Sequence, residues 1–217
     1  MALSTVGILG SGGVGKTLAA GFRRHGHDVM IGSREPGKLA EWRGGPGLGV
    51  QVGTFADAAA FGQIVVVSVL GAAGEEALDL AGHANLADKI VIDTMNPIAP
   101  GGPVGGIIPY FTGPGESLLE RLQTRVPAAR FVKAFSCVGA PFMVNPSFQG
   151  GPPTMFICGN DAAAKAEVVA ILDRFGWDAE DVGGAAGARA IEPLCQLWCA
   201  PGFLRNDWQH AFKVIRP

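Results

Sequence analysis

The sequence predicts an α/β chain organised on an open, mainly parallel, doubly wound sheet. Short apolar runs alternate with helical patterns along most of its 217 residues. Residues 64–70 (Ile-Val-Val-Val-Ser-Val-Leu) lack the alternation of a half-exposed strand, so this strand should be covered on both faces. The first apolar run ends directly in Gly10-Ser11-Gly12-Gly13-Val14-Gly15, a glycine loop opening a helix. These features give a Rossmann-type layout, which places ligands beyond the C-terminal ends of the strands.

The elements follow in order. Residues 3–9 read as a strand, 16–24 as a helix and 27–31 as a second strand closed by Gly32-Ser33-Arg34. A short helix over 38–42 follows Pro36, and residues 50–52 form a brief strand. Thr54 caps a small helix reaching Ala60. After the central strand, 75–81 is helical, and 89–93 is another buried strand that ends in Thr94-Met95-Asn96-Pro97. Residues 98–115, rich in proline and glycine, form the longest loop. A helix over 117–125, strands at 131–135 and 154–158, a helix at 162–175 capped by Asp161, and a strand at 177–182 complete an expected dinucleotide-binding unit of residues 1–182. Residues 183–217 read as a helical C-terminal extension of the same compact unit, broken at Pro201-Gly202 and walling the substrate site.

Bulk properties narrow the function classes. Hydrophobic residues make up 48% and charged residues 17%, which predicts a well-buried globular chain. A net charge of −2 without a basic stripe argues against nucleic acid as partner, and the lack of a polybasic or long apolar segment argues against a membrane. The partner expected is a small-molecule substrate, with a homodimer as a further option. The four cysteines are scattered late in the chain, and no targeting leader is visible, so a cytoplasmic location is expected. No metal-ligand spacing occurs; Cys195 and Cys199, four apart on a helix, read as core residues.

The glycine loop fits two chemistries. Gly10, Gly12 and Gly15 match the dinucleotide fingerprint, while Gly10, Gly15, Lys16 and Thr17 match the P-loop of a nucleoside triphosphate hydrolase, for which Asp93 could hold magnesium. The end of the second strand separates them. A fold that binds NAD carries a carboxylate there for the ribose hydroxyls, whereas this chain carries Ser33 and Arg34, with Lys38 one helical turn on. A hydroxyl, a guanidinium and an ammonium attract a 2′-phosphate, so the expected cofactor is NADP(H). The P-loop hydrolase and a non-catalytic NADP-binding sensor remain as alternatives.

Several blocks resemble the NADP oxidoreductases that use the deazaflavin coenzyme F-420, and their dinucleotide-binding relatives. They include Val6 to Gly12, Ile31-Gly32-Ser33-Arg34, Asp93 to Pro97, Val132-Lys133-Ala134-Phe135 and Phe156 to Asp161. The resemblance implies hydride transfer between NADP(H) and an organic acceptor, with a deazaflavin as co-substrate or, in a relative that has exchanged substrate, a small carbonyl compound. It implies that Gly10, Ser11, Gly12, Gly13, Val14 and Gly15 hold the pyrophosphate and that Ser33, Arg34 and Lys38 hold the 2′-phosphate. Val69, Leu70 and Gly71 then pass beside the cofactor, and Asn96 and Pro97 approach the nicotinamide. Two departures, Ser136 where relatives carry Asn and Met95 before Asn96-Pro97, fall where the acceptor would sit.

Transfer between two rings asks little of side chains beyond geometry and exclusion of water. Reduction of a carbonyl needs a proton donor. Lys133 and Ser136 are the catalytic candidates for that role, with Tyr110 and His210 behind them.

Overall fold

A computed structural model describes residues 4–217. The main sheet has six strands: β1 (Val6–Leu9), β2 (Val29–Gly32), β3 (Gln51–Gly53), β4 (Ile64–Val67), β5 (Ile90–Asp93) and β6 (Arg130–Lys133). Their order is β3-β2-β1-β4-β5-β6, and every neighbouring pair is parallel. The order reverses between β1 and β4, which opens a crevice at their C-terminal ends. β1, β4 and β5 are buried along their whole length, as parallel strands covered on both faces must be.

Helices α1 (Gly13–Arg24), α2 (Ala40–Arg43), α3 (Phe55–Phe61), α4 (Gly74–Ala81), α5 (His83–Leu86) and α6 (Leu118–Arg125) connect these strands, and two hydrophobic clusters lie on the two sheet faces. One cluster holds Ile8, Leu18, Phe22 and Ile31, the other Val65, Leu78, Val91 and Leu119. Two of these six helices carry an N-cap side chain. Thr54 accepts the Asp57 N–H while the Asp57 carboxylate accepts the Thr54 N–H, and Ser117 accepts the Glu120 N–H.

The later part of the chain departs from expectation in two ways. Strands β7 (Thr154–Ile157) and β8 (Asp178–Asp181), joined by α7 (Ala162–Arg174), form a separate two-stranded parallel sheet rather than extending the main one. The reason is direction. The chain meets β6 only through one antiparallel bridge, in which the Lys133 N–H donates to the Cys158 carbonyl oxygen at 2.9 Å. At the other end of β7, the Thr154 N–H donates to the Phe212 carbonyl oxygen at 2.8 Å, and the Val214 N–H donates to Thr154 Oγ1 at 3.0 Å.

The second departure is in the extension. After α8 (Ala188–Ile191), α9 (Pro193–Arg205) runs through Pro201 without the expected break. Proline forfeits one backbone donor there, and the packing of Trp198 and Gly202 against Trp208 holds the helix on line. Helix ends at Asn206, in the left-handed region, and residues 207–217 are an irregular tail.

Candidate functional site

A cleft of about 450 Å³ opens where the strand order reverses. Its walls are the glycine loop, the turn after β2, the turn after β4 and one face of α4.

The glycines divide the work of the loop. Gly10 has φ +123°, a conformation closed to side chains, and sits against the Ser68 backbone. A methyl at Gly15 would collide with the Gly10 carbonyl oxygen, so this residue lets α1 approach β1. Gly12 and Gly13 face open space toward the cleft, leaving the loop backbone bare.

The N-terminus of α1 is left uncapped. Gly12 precedes it with no side-chain cap, whereas α3, α6 and α7 are capped by Thr54, Ser117 and Asp161. The first amides of α1 therefore keep their donors and their share of the helix dipole for an anion. A bare backbone beside free amides is what a pyrophosphate requires, so the residues present fit a dinucleotide.

At the other end of the cleft, Ser33 Oγ accepts the Glu35 N–H at 3.1 Å and is met by the Ser11 hydroxyl at 3.1 Å. This ties the loop to the turn after β2. Arg34 lines the cleft and makes no ion pair among the described residues. Lys38 also lines it, with its ammonium 2.7 Å from Glu35 Oε1. Glu35 thus holds Lys38 in place while offsetting part of its charge. Val69 and Leu70 form the opposite wall, and Leu70 is 81% exposed, an apolar side chain turned into the cleft.

Other expected residues lie elsewhere. Gly71 is buried behind the wall, where a methyl would collide with the Asn96 carbonyl oxygen. Asn96, Pro97 and Ser136 do not line the cleft; they lie just past the ends of β5 and β6. Asn96 Nδ2 donates to the Ser136 carbonyl oxygen at 2.7 Å, while Asn96 Oδ1 and Ser136 Oγ are buried without partners. Phe135 next to them has φ +60°, a strained value for an aromatic residue.

Lys133 is not a strand-edge lysine with its head in water. It is 0% exposed, and its ammonium lies 2.7 Å from Asp93 Oδ2, 2.8 Å from Glu192 Oε1 and 2.7 Å from the Met95 carbonyl oxygen. The two Glu192 oxygens also accept the Leu118 and Leu119 N–H groups at 3.0 and 3.1 Å, so Glu192 caps α6 as well. Burial works against the Lys133 charge, but Asp93 and Glu192 outweigh it and hold its pKa above the ordinary lysine value. Burial also pushes the Asp93 carboxyl up, and Lys133 only partly offsets this. Three acceptors saturate the ammonium, and no face of it reaches the cleft.

The P-loop alternative fails on this geometry. Lys16 and Thr17 line a separate groove on the outer side of α1, with Arg23, Arg24 and Trp42. Asp93, its intended magnesium ligand, is locked to Lys133. No group of three or more His, Cys, Asp or Glu residues among the described residues could hold a metal ion, and no helix there is long and apolar enough to cross a membrane.

The sequence reading missed Phe55, Ser68, Ala73, Glu76, Ala77 and Leu80, all of which line the cleft. Residues 73, 76, 77 and 80 fall on one helical face, so their spacing carried a signal. Phe55 and Ser68 carried none, because only the packing of α3 and β4 brings them in.

The comparisons agree with this geometry. Residues 5–97 match the family described as NADP oxidoreductase, coenzyme F420-dependent. A crystal structure from Arthrobacter sp. FB24, described as a candidate F420-dependent NADP-reductase, is 35% identical with a TM-score of 0.91, covering 98% of this chain and 100% of that one. Among curated proteins, metalloreductase STEAP3 of Rattus norvegicus is 30% identical over 203 residues, covering 92% of this chain. This chain spans 38% of that relative's length. A reductive aminase from Aspergillus terreus, solved with NADPH4, shares the fold at a TM-score of 0.64 and 21% identity, over 90% of this chain and 60% of that one. With a glycine loop, an uncapped helix and a cationic turn on one cleft, and a relative 35% identical along its whole length, the chain belongs to the coenzyme F420-dependent NADP oxidoreductase family.

Proposed function

We propose that the chain transfers a hydride between NADP(H) and a planar ring acceptor of the deazaflavin class. The carrying observation is that each proton donor a carbonyl substrate would need is already committed or buried. Lys133 is saturated, and the Tyr110 hydroxyl donates to the Glu192 carbonyl oxygen at 2.8 Å. His210 Nε2 is held 3.0 Å from the Trp198 carbonyl oxygen, and Ser136 is 3% exposed. The titratable residues on the cleft are Arg34, Glu35, Lys38 and Glu76. A deazaflavin accepts hydride at a ring carbon and a proton at a ring nitrogen that water can supply, so it asks for no protein acid.

Bound NADPH supplies the hydride; the chain's own residues bind, orient and exclude water. The amides of Gly13 and Val14 would hold the pyrophosphate, and Ser33, Arg34 and Lys38 would hold the 2′-phosphate. Leu70 and Val69 would cover the ring from water, and the extension of residues 183–217 would wall the acceptor side. In this reading Lys133 positions the β5 and β6 ends rather than moving a proton.

Paired titrations test the 2′-phosphate end of this site. Arg34→Ala should weaken NADPH by about 1.5–3 kcal/mol and leave NADH nearly unchanged, because it removes a charged contact to a group only NADPH carries. Equal losses in Arg34→Ala would refute the 2′-phosphate assignment. For the acceptor, NADPH oxidation is followed with deazaflavin, flavins, quinones and ketones. Turnover with ketones alone would sink the ring-acceptor reading, and turnover with none would favour a sensor.

A further inference from the structure

One charge in the cleft opposes the ligand that the rest of it fits. Glu35 lines the cleft with Arg34 and Lys38, and its Oε1 lies 2.7 Å from the Lys38 ammonium. A 2′-phosphate is a second anion seeking that ammonium. Resting on the assignment of Arg34 and Lys38 to this phosphate, we propose that Glu35 is a specificity-determining residue. Its carboxylate competes with the 2′-phosphate for Lys38 and so narrows the preference for NADPH over NADH.

The backbone builds the competition in. Ser33 Oγ accepts the Glu35 N–H at 3.1 Å, which fixes the chain just past β2. Pro36, with its φ already set by the ring, then opens a 3₁₀ turn over Pro36–Leu39. The Lys38 N–H donates to the Glu35 carbonyl oxygen at 3.1 Å, and side chains three apart in such a turn eclipse. Carboxylate and ammonium are therefore neighbours by construction. The two cations of the cleft differ in consequence. Arg34 meets an incoming phosphate with its full charge, whereas Lys38 meets it only by sharing or leaving Glu35.

The size of the effect follows from exposure. The Lys38 and Glu35 side chains are 74% and 64% exposed, so water screens the pair. Exposed ion pairs of this kind are worth a factor of about 1.5–5 in an equilibrium constant. A competitor of that strength trims NADPH binding without abolishing it, and it leaves NADH alone, because NADH has no 2′-phosphate. It acts equally on NADP+, and such affinity differences lie mostly in the dissociation rate, so the oxidised product leaves faster.

Glu35→Gln keeps the size of the side chain and removes its charge. Titrated against the full chain, NADPH should bind about 2–5-fold more tightly to this variant than to the parent, with NADH unchanged. NADP+ should dissociate more slowly by the same factor. The fragment 2′,5′-ADP, which carries the phosphate without the nicotinamide, should gain as NADPH does, and 5′-AMP should gain nothing. In a Lys38→Ala background the gain should vanish. Unchanged or weaker NADPH binding in Glu35→Gln, an equal gain for NADH, or a full gain surviving in Lys38→Ala would each overturn the proposal. Arg34→Ala separates this failure from failure of the phosphate assignment. A selective NADPH loss in Arg34→Ala without a gain in Glu35→Gln sinks the competition alone. No selective loss in Arg34→Ala sinks the assignment and the competition with it.

Discussion

Lys133→Met is expected to destabilise the fold by about 3–5 kcal/mol, the cost of leaving buried carboxylates without their cation. Asp93 and Glu192 are 0% and 1% exposed, so water cannot replace the lost ammonium. The loss has a pH signature. Burial already raises the Asp93 pKa in the folded state, and removing Lys133 takes away the attraction that offsets it. A carboxyl whose folded pKa exceeds its unfolded value binds more protons when folded, so stability grows as pH falls through the folded value and is lost as pH rises. The Lys133→Met defect should therefore be deepest at neutral pH and shrink toward the ordinary carboxylate range. Urea denaturation at several pH values checks this. A loss under about 1 kcal/mol, flat with pH, would mean that the triad contributes little.

Gly15→Ala is expected to cost about 3 kcal/mol, the upper range of overpacking, and to weaken NADPH by up to about 100-fold. The added methyl would strike the Gly10 carbonyl oxygen and approach Ser68 Oγ to 2.8 Å, and backbone cannot rotate aside as a side chain can. α1 must then lift from β1, carrying the Gly13 and Val14 amides away from the phosphates. Lys16→Ala, one residue on, is the control. Its side chain lies in the outer groove, so NADPH affinity should stay within about twofold. Calorimetry and NADPH titration read both effects; loss of affinity in Lys16→Ala alone would return the loop to the P-loop reading.

Much of the fold was legible because local and global signals agree. The apolar run of β4, the glycine loop and the caps at Thr54 and Asp161 each report a structure that depends on near neighbours in sequence. The cationic turn after β2 was legible for the same reason. What was not legible depends on distant partners. Nothing near Lys133 announces Glu192, which lies 59 positions on and also caps α6. The sequence marks two more strands after β6, but not that the chain crosses β6 antiparallel and starts a second sheet. Pro201 read as a break because the aromatic contacts that hold α9 straight come from the tail.

That tail has a consequence for how the molecule meets its own copies. The side of β7 that faces away from β8 would otherwise be a template on which a strand of another chain could add. Phe212 and Val214 occupy its start, and the crossing with Lys133 occupies its end. Residues 212–216 thus act as a guard against edge-to-edge aggregation, built from the Phe212 backbone bond, the Val214 bond to the Thr154 hydroxyl and the ion pairs of Lys213 and Arg216 with Asp178 and Glu180 on β8.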